Sequence, residues 1–407
     1  MTKPLDGIRV LDLSRILAGP WSAQLLADLG ADVIKVERPG TGDDTRQWGP
    51  PFLMDADGNE TGESSYYLAA NRGKRSITLN LASEEGRNIV RQLAASSDVL
   101  VENFKVGDLA SKGLGYDDLR KDNPGLIYLS ITGFGQNGPR ASQPGYDYLA
   151  QSMGGLMSIT GRADDEDGAG PMRTGVAVAD LSTAMYGTVG VLSAIIHRSN
   201  TGVGQHIDMA LLDTQVTMLA NQALYYLVGG TPPARSGGWH PSLAPYQPFA
   251  SADEPFIVAC GNDGQFVTLC TFIGRAELAT DPRFVTNPDR NAHRQELAAE
   301  LEAEFVKQPR AYWLDELPKQ GVPSSAVNSI ADVFEEPQVI ARNMRIEVPN
   351  AAAGTAPGVA NPIKFSETPL DYPVGPPTLG EHTDEVLSER LDLDADAIAD
   401  LRARNVV

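Results

Sequence analysis

Short hydrophobic runs, typical of strands, alternate along the chain with longer segments in which hydrophobic residues recur at the period of a helix. The runs at 8–13 and 32–37 are rich in Ile, Val and Leu and predict strands, while 21–29 has a helical period that ends at Gly30. A strand, a helix and a strand within about 30 residues form a βαβ unit, which favours a parallel sheet. The same alternation predicts further strands at 76–81, 98–102 and 126–131 and helices at 83–95 and 116–121.

The segment 181–196 is apolar or small on nearly every face of a helix. Such a helix has no solvent side, so we expect it to be packed deep in the fold. Asp180 precedes it directly, where the first N–H groups of a helix are unpaired and its dipole favours negative charge. One interpretation of Asp180 is an ordinary N-cap, and the other is a desolvated carboxylate nucleophile. Spacing alone favours the cap.

A stretch rich in Gly and Pro begins at Gly229 and predicts a domain boundary. Before it, a turn and strand at 202–211 lead into a helix at 212–228. Beyond it, runs at 255–260 and 265–270 flank Gly-Asn-Asp-Gly and predict a hairpin. The remaining predicted elements are helices at 292–307, 311–319, 381–390 and 394–404 and a strand at 322–327.

These elements predict an α/β protein with a Rossmann-like large domain, built on a parallel sheet, and a smaller α+β domain. The predicted parts are 1–228 as the first part of the large domain, 229–330 as the small domain with its linker, and 331–407 as a linker and C-terminal return to the large domain.

Composition narrows the class of protein. The 407 residues are 42% hydrophobic and 21% charged, a balance typical of folded globular chains. A formal charge of −20 argues against nucleic acid and anionic membranes as partners. The longest apolar run, 189–196, is shorter than the roughly 18 residues that cross a bilayer, and the first residues lack the apolar core of a signal peptide. We therefore expect a cytoplasmic protein, in which Cys260 and Cys270 are buried thiols.

Several common chemistries lack their motif. The loop at 14–20 lacks the three glycines of a dinucleotide-binding turn, so a nicotinamide cofactor is not expected even though Glu37 stands where a ribose-binding acid would. There is no Gly-x-Ser-x-Gly, and the five His are not at metal-ligand spacing, which disfavours a serine hydrolase and a metal site. We interpret His197, His206 and His240 as structural.

Loops at the ends of predicted strands carry the remaining candidate chemistry. Arg72, Lys74 and Arg75 precede the strand at 76–81, where they form either a solvated turn or a phosphate contact. Ligands in open α/β sheets bind beyond the carboxyl ends of the strands. The other candidates on such loops are Arg46, Trp48, Asn103, Phe104 and Lys105.

Short segments spread along the whole chain together resemble the class III CoA-transferases, the CaiB/BaiF or formyl-CoA transferase type. The segments are Leu-Asp-Gly-Ile-Arg-Val-Leu-Asp-Leu-Ser (5–14), Ala-Gly-Pro (18–20), Leu-Gly-Ala-Asp-Val-Ile-Lys-Val-Glu (29–37), Asn-Arg-Gly-Lys-Arg-Ser (71–76), Val-Glu-Asn-Phe (101–104), Gly-Phe-Gly-Gln-Asn-Gly-Pro (133–139), Val-Ala-Asp (178–180) and Leu-Gly-Glu-His-Thr (379–383).

The resemblance implies a CoA-transferase whose catalytic residue is Asp180, which carries an acyl anhydride and then a CoA thioester. Coenzyme A is then a substrate carrier, acyl-CoA and a small carboxylic acid are the ligands, and no cofactor is tightly bound. The implied CoA contacts are Leu17, Ala18, Arg38, Asn103, Phe104 and Lys112, with Arg72, Lys74 and Arg75 as further phosphate contacts. The implied acyl-site residues are Trp48, Thr132, Gly133, Phe134, Tyr146 and a mobile glycine loop at Gly237 and Gly238.

The chain departs from the family at informative positions. Leu17 and Thr132 stand where the formyl-CoA transferase subgroup has Gln and Lys, which disfavours formate and oxalate as substrates. Separately, the resemblance implies dicarboxylates such as succinate as donors, because they are common in related enzymes. Trp239 and His240 interrupt the glycine loop.

Two other functions remain open. In α-methylacyl-CoA racemases of the same fold a His acts as base where this chain has Tyr146, and a phenol is a poor base at neutral pH. A CoA-binding protein without activity is the third possibility. The resemblance also implies a homodimer of two interlocked, ring-shaped subunits.

Overall fold

A parallel sheet of six strands forms the centre of the larger of two structural units. Numbered in chain order within the sheet, the strands lie in the order 3-2-1-4-5-6, the Rossmann arrangement, and every neighbouring pair is parallel. This confirms the predicted α/β class. The strands are β1 (Arg9–Asp12), β2 (Asp32–Glu37), β5 (Lys74–Thr78), β6 (Val99–Glu102), β7 (Ile127–Thr132) and β8 (His206–Ala210), and between them in the chain lies the hairpin β3 (Phe52–Met54) and β4 (Glu60–Ser64).

This computed structural model describes residues 3–407. The large unit contains the chain up to residue 156 together with 173–230 and 338–407, and the small unit contains 157–172 and 231–337. The segment 157–172, which the sequence analysis kept in the large domain, therefore belongs to the small unit.

Helices cover both faces of the large sheet, as a buried parallel sheet requires. The helices up to residue 230 are α1 (Ala18–Asp28), α2 (Ser65–Leu68), α3 (Glu84–Ala95), α4 (Asp108–Ser111), α5 (Tyr116–Leu119), α6 (Asp147–Met153), α7 (Leu156–Ile159), α8 (Val178–Thr201), α9 (Leu211–Met218) and α10 (Ala220–Gly229). One face is packed by α1 and α8 and the other by α3 and the two C-terminal helices, α17 (Thr383–Leu391) and α18 (Ala395–Ala403).

Helix α8 lies against the sheet through small residues. Ala184, Gly187 and Ala194 are buried, and a Cβ on Gly187 would press on Leu129 of β7. The opposite side carries bulky apolar residues, of which Val189 is 59% exposed and Ile196 is 64% exposed. The expectation that α8 has no solvent side is therefore wrong for the single chain, because small side chains occupy only the face that approaches the sheet.

By length and composition alone, α8 could also cross a membrane, and it is the one helix of residues 3–407 that meets this test. Its contacts argue for a packed helix instead. The hydroxyls of Thr188 and of Ser22 on α1 lie 3.0 Å apart in a hydrogen bond, and Val191 is buried in the apolar cluster beside the sheet. We therefore interpret α8 as a structural helix of the large unit.

The small unit has an antiparallel sheet of β9 (Tyr246–Phe249), β10 (Phe256–Ala259) and β11 (Ser324–Ala326), with β10 in the centre. The predicted hairpin is wrong, because 265–270 lies in helix α11 (Asp263–Phe272). The Asn262 side chain accepts the Gln265 N–H and caps this helix. The other α-helices of the small unit between β10 and residue 337 are α12 (Asn287–Ala292), α13 (Arg294–Phe305), α14 (Arg310–Lys319) and α15 (Ile330–Glu335).

Helix α16 (Pro337–Ala341) leads from the small unit back into the large unit. There the strands β12 (Arg345–Asn350) and β13 (Gly354–Val359) form an antiparallel hairpin before α17.

Arg290 is the largest fully buried side chain of the small unit. It donates to the carbonyls of Ala244 at 2.6 Å and Phe284 at 3.0 Å and to the Asp263 carboxylate at 2.6 Å. Its guanidinium carbon also lies 4.5 Å from the centre of the Phe266 ring. These contacts join α12, α11 and the chain before β9.

Replacing Arg290 with methionine should destabilise the protein by about 3 kcal/mol, because buried carbonyls and a carboxylate lose their donor. Urea denaturation gives the free energy of unfolding. The control is Arg345→Met, at a side chain 66% exposed in an ion pair with Glu347, where we expect a change below about 1 kcal/mol. Equal losses in the two variants would contradict this assignment.

Candidate active site

A cavity of about 670 Å³ opens in the large unit at the carboxyl ends of the sheet strands. Residues directly after β1, β2, β6 and β7 line it, as expected for ligand sites in open α/β sheets. The cavity wall brings together ten candidate site residues from the sequence: Leu17, Ala18, Arg38, Asn103, Phe104, Lys105, Thr132, Gly133, Tyr146 and Asp180.

Asp180 lies in the first turn of α8, as its third residue, and lines the cavity. The N-cap of α8 is Ala177, so the interpretation of Asp180 as the cap is wrong. Burial, reinforced by the negative charge of Asp147, raises the pKa of Asp180 to about 7. A carboxylate that is this poorly solvated is a stronger nucleophile than one in water.

The loop before α1 has a strained backbone at the cavity wall. Ile16 has φ +72°, a left-handed conformation that β-branched residues rarely adopt. Its N–H donates to the Asp43 carboxylate at 3.2 and 3.3 Å. Lys35, fully buried, donates to the same carboxylate at 2.9 Å and to the Ser14 carbonyl at 3.0 Å. An internal ion pair thus holds this turn.

Helix α1 begins at the cavity without a side-chain cap. Its N-cap, Leu17, makes no capping bond, and Ala18 follows as the first helical residue. A Cβ on Gly19 would overlap with the Ser14 side chain, which explains the glycine at this position. The first N–H groups of a helix lack intrahelical partners and attract negative charge. This helix end can therefore stabilise an anion or a developing oxyanion.

Two glycines bring opposite walls of the cavity together. A Cβ on Gly133 would overlap with the Cα atom of Gly145, and the reverse is also true. Only glycine allows the end of β7 to approach the segment before α6 this closely. The crossing places Tyr146 and Asp147 beside Thr132.

Cations line one part of the cavity. Arg38 and Lys105 are exposed there, and Arg15 pairs with Asp44 at 2.8 Å while its guanidinium lies 5.8 Å from the Phe104 ring centre. Asn103 joins this loop to β6, since its side chain accepts the Arg15 N–H at 2.9 Å and donates to the Arg15 carbonyl at 2.7 Å. The sequence analysis missed Arg15, because in that loop it considered only the absence of glycines and the family positions Leu17 and Ala18.

Glu102 is a second residue that the sequence analysis missed. It lies at the end of β6, where burial raises its pKa to about 7 although Ser130 and the Phe104 N–H both hydrogen-bond to it. The Phe104 N–H donates at 2.7 Å. Glu102 therefore fixes the turn that presents Asn103 and Phe104 to the cavity.

The basic segment 71–75 is used inside the protein. Arg72 donates to Asp28 at 2.8 and 2.7 Å, and Lys74, fully buried, pairs with Asp12 at 2.9 Å. Arg75 pairs with Asp32 at 2.8 Å and with two glutamates of α17. Each of the three cations thus has a carboxylate partner within the chain, and none of them lines the cavity. The structure therefore does not bring them to the site, where the sequence analysis expected phosphate contacts.

Three other predicted site residues lie near the cavity wall without forming it. Lys112 pairs with Asp108, which does line the cavity. Trp48 packs edge-on against Tyr66 with ring centres 5.0 Å apart. Burial and the charges of Asp180 and Asp147 raise the pKa of Tyr66. Trp48 therefore packs against a tyrosine that is close enough to Asp180 to interact with its charge. Phe134 is half-buried just beyond Gly133.

Gly237 and Gly238 belong to the small unit. Gly237 has φ +59°, and a Cβ on Gly238 would press on Pro248. The His240 ring that follows stacks on Tyr246 with centres 4.9 Å apart, and its Nδ1 accepts the N–H groups of Ser242 and Leu243 at 3.1 and 3.0 Å. His240 is thus structural in these contacts, and the mobility of the loop stays a prediction.

Comparison with known proteins places the chain in a family. The model of CoA-transferase family III matches residues 5–383, and the chain belongs to this family. The protein is accordingly a CoA-transferase of class III, the CaiB/BaiF type that its motifs resemble.

Its relatives include enzymes of known name. A succinate–glutarate CoA-transferase of Agrobacterium fabrum is 50% identical over 386 residues, which cover 95% of each chain. The human succinyl-CoA:glutarate CoA-transferase is 41% identical over 407 residues, covering 100% of this chain and 90% of the human one. A crystal structure of a CaiB/BaiF family protein from Brucella suis has a TM-score of 0.85 at 49% identity and covers 96% of this chain and 100% of its own.

The cavity cations lead to a prediction about binding. The double variant Arg38→Ala/Lys105→Ala should raise the KM for acyl-CoA about tenfold at low salt, with kcat nearly unchanged, because CoA phosphates lose charge partners far from the reacting atoms. Initial rates at two ionic strengths test this, since the effect should shrink in salt. Lys121→Ala removes one exposed lysine outside the cavity and should leave KM unchanged. A similar rise in that control would point to net charge instead.

Proposed function

We propose that this enzyme moves CoA from a dicarboxylyl-CoA, such as succinyl-CoA, to a second small carboxylic acid. The observation that carries the proposal is the desolvated Asp180 carboxylate in the cavity of a chain that belongs to CoA-transferase family III. The names of the relatives support the substrate class, since they include succinate–glutarate and succinyl-CoA:mesaconate CoA-transferases. Glutarate and mesaconate are therefore the first acceptors to test.

In the proposed reaction an Asp180 oxygen attacks the donor thioester carbonyl, the C–S bond breaks, and CoA leaves as a thiolate. The product is a mixed anhydride between Asp180 and the donor acid. The thiolate then attacks the Asp180 carbonyl, the donor carboxylate leaves, and an aspartyl-CoA thioester forms. The acceptor carboxylate attacks that thioester and repeats the two steps in reverse, which frees Asp180.

The chain's own groups suit these steps. Each tetrahedral intermediate carries a negative oxygen, and the uncapped start of α1 supplies backbone N–H groups at the cavity. The cations at Arg15, Arg38 and Lys105 offset a net charge of −20 where the CoA phosphates must bind. A partly enclosed cavity also limits the access of water to the anhydride.

Racemase activity is the second candidate, and a single residue argues against it. The position of the racemase His is occupied by Tyr146, whose side chain lies largely in solvent at the cavity wall. The proposed transferase needs no base at that position.

Asp180→Ala should lower CoA exchange at least about 10³-fold, because the covalent carrier is removed. The assay follows transfer from succinyl-CoA to labelled glutarate, and mass spectrometry of the enzyme with succinyl-CoA should find CoA on the peptide that contains Asp180. Asp117→Ala, at a carboxylate of α5 that is 91% exposed and outside the cavity, is the matched control and should keep full activity. Exchange at the wild-type rate by the Asp180 variant would refute the mechanism, and loss of the α-hydrogen in heavy water without transfer would indicate a racemase.

The apolar surface of the large unit supports a second proposal, a homodimer. The contacting helices α6, α8, α9 and α10 all expose large apolar side chains. They include Tyr148, Met153, Met185, Tyr186, Val189, Ile196, Val216, Leu224, Leu227 and Val228. Monomers rarely leave this much apolar surface in water. A second copy of this chain, interlocked as the family resemblance implies, would cover it.

Light scattering should therefore give twice the mass of one chain. Val189→Asp, in the exposed face of α8, should shift the protein toward monomer, because a carboxylate would be buried in the interface. Val359→Asp is the control, at a similarly exposed valine on β13, and should stay dimeric. A monomeric wild-type protein would rule the dimer out.

The cytoplasmic location stays a prediction. The free, buried thiols of Cys260 and Cys270 suit a reducing compartment.

A further inference from the structure

Helix α8 begins without a cap from its own sequence. Ala177 occupies the N-cap position and offers no side-chain acceptor, which leaves the first N–H groups of the helix to find partners elsewhere. The Asp147 carboxylate supplies one from α6: its Oδ1 accepts the Ala179 N–H at 2.8 Å and the Asp180 N–H at 3.3 Å. The backbone of the proposed nucleophile is thus bonded directly to a second acid.

Asp147 is itself held in place. The Gln151 side chain, one turn further along α6, donates to Asp147 Oδ2 at 2.7 Å. Its carbonyl oxygen accepts the Thr174 N–H at 3.0 Å and the Thr174 hydroxyl at 3.3 Å. Gln151 is fully buried, so these bonds are shielded from water. They connect α6 to the segment that enters α8.

The crossing of Gly133 and Gly145 fixes the other end of this arrangement. Because the two backbones touch, the residues after Gly145 are held against the end of β7. Asp147 therefore has a constrained position on both sides, from the sheet through Gly145 and from the α8 approach through Gln151 and Thr174.

We propose that Asp147 is a positioning residue for CoA transfer: it caps α8 from a neighbouring helix and thereby holds Asp180 in the orientation from which it attacks the thioester. This inference rests on the proposed role of Asp180. The geometry matters because displacing a reacting atom by about 1 Å can cost on the order of a hundredfold in rate.

Asp147 also affects the charge of its neighbour. The ionisable groups that act on one another here are Asp147 on α6, Asp180 on α8 and Tyr66 on α2. Burial raises the pKa of Asp180 most, and the Asp147 charge raises it further. Since attack needs the ionised form, activity falls as the pH drops below the pKa of Asp180. Removing the Asp147 charge should move this acidic limb to lower pH.

Two substitutions separate the hydrogen bond from the charge. Asp147→Ala removes both and should lower kcat about 100-fold, with little change in the KM for succinyl-CoA. Substrate binding stays intact, but the Asp180 carboxylate is no longer held in its reactive orientation. Asp147→Asn keeps an oxygen acceptor for the Ala179 N–H but loses the bond from Gln151, so it should recover about tenfold of that loss. Its acidic limb should lie about one pH unit below that of the wild type. Gln151→Ala, which leaves Asp147 in place without its support, should show a smaller loss of about tenfold.

The control is Asp117→Asn, an exposed acid of the same unit on α5, which should change neither kcat nor the pH profile. Circular dichroism establishes that each variant is folded, and if Asp147→Ala is not, the Asn and Gln151 variants carry the test through the pH profile and kcat. An Asp147→Ala enzyme with wild-type kcat, or an Asn variant with no recovery and an unshifted limb, would overturn the proposal. These failures are distinct from that of the proposed function, which shows instead as exchange that persists without Asp180.

Discussion

The packing of α8 on the sheet through small residues is the contact on which the rest of this structure depends. Gly187 and its small neighbours let the helix approach Leu129 closely, which fixes both the direction of α8 and the position of its first turn. Asp180 consequently lies at the carboxyl ends of the strands, where the loops that follow β1, β2, β6 and β7 line the cavity. The same choice of face leaves the bulky apolar side chains on the outside, where we place the second subunit.

Buried ion pairs determine the shape of the loops around this site. Lys74 with Asp12 and Lys35 with Asp43 are fully inside the protein, at 2.9 Å each. Burial alone would raise the pKa of Asp43, but Lys35 and the Thr45 amide lower it to about 2, so it stays ionised at any working pH. Such pairs add little net stability because both charges lose their water. What they provide is a fixed loop geometry beside the cavity.

The sequence predicted the parallel sheet because β1, β2, β6 and β7 contain short apolar runs that alternate with helical patterns. The motifs identified the family, and the catalytic role of Asp180 stays a prediction. The sequence could not predict how charges pair across distant segments. The segment with Arg72, Lys74 and Arg75 has the composition of a phosphate site. Only the fold shows that these cations form ion pairs with Asp28, Asp12 and Asp32. The hairpin failed for a local reason, since Asn262-Asp263-Gly264 suits a turn and a helix start equally, and the short apolar run after it fits either element.

The left-handed conformation of Ile16 implies that stability and a fixed loop conformation have opposite requirements at the start of α1. A glycine there would relax the backbone and release the strain of order 1 kcal/mol that a β-branched residue stores. It would also allow the loop to adopt conformations other than the one that the hydrogen bonds to Asp43 now hold. A more thermostable form of this protein would therefore gain its stability at other positions, because a relaxed backbone at Ile16 would change the shape of the cavity wall.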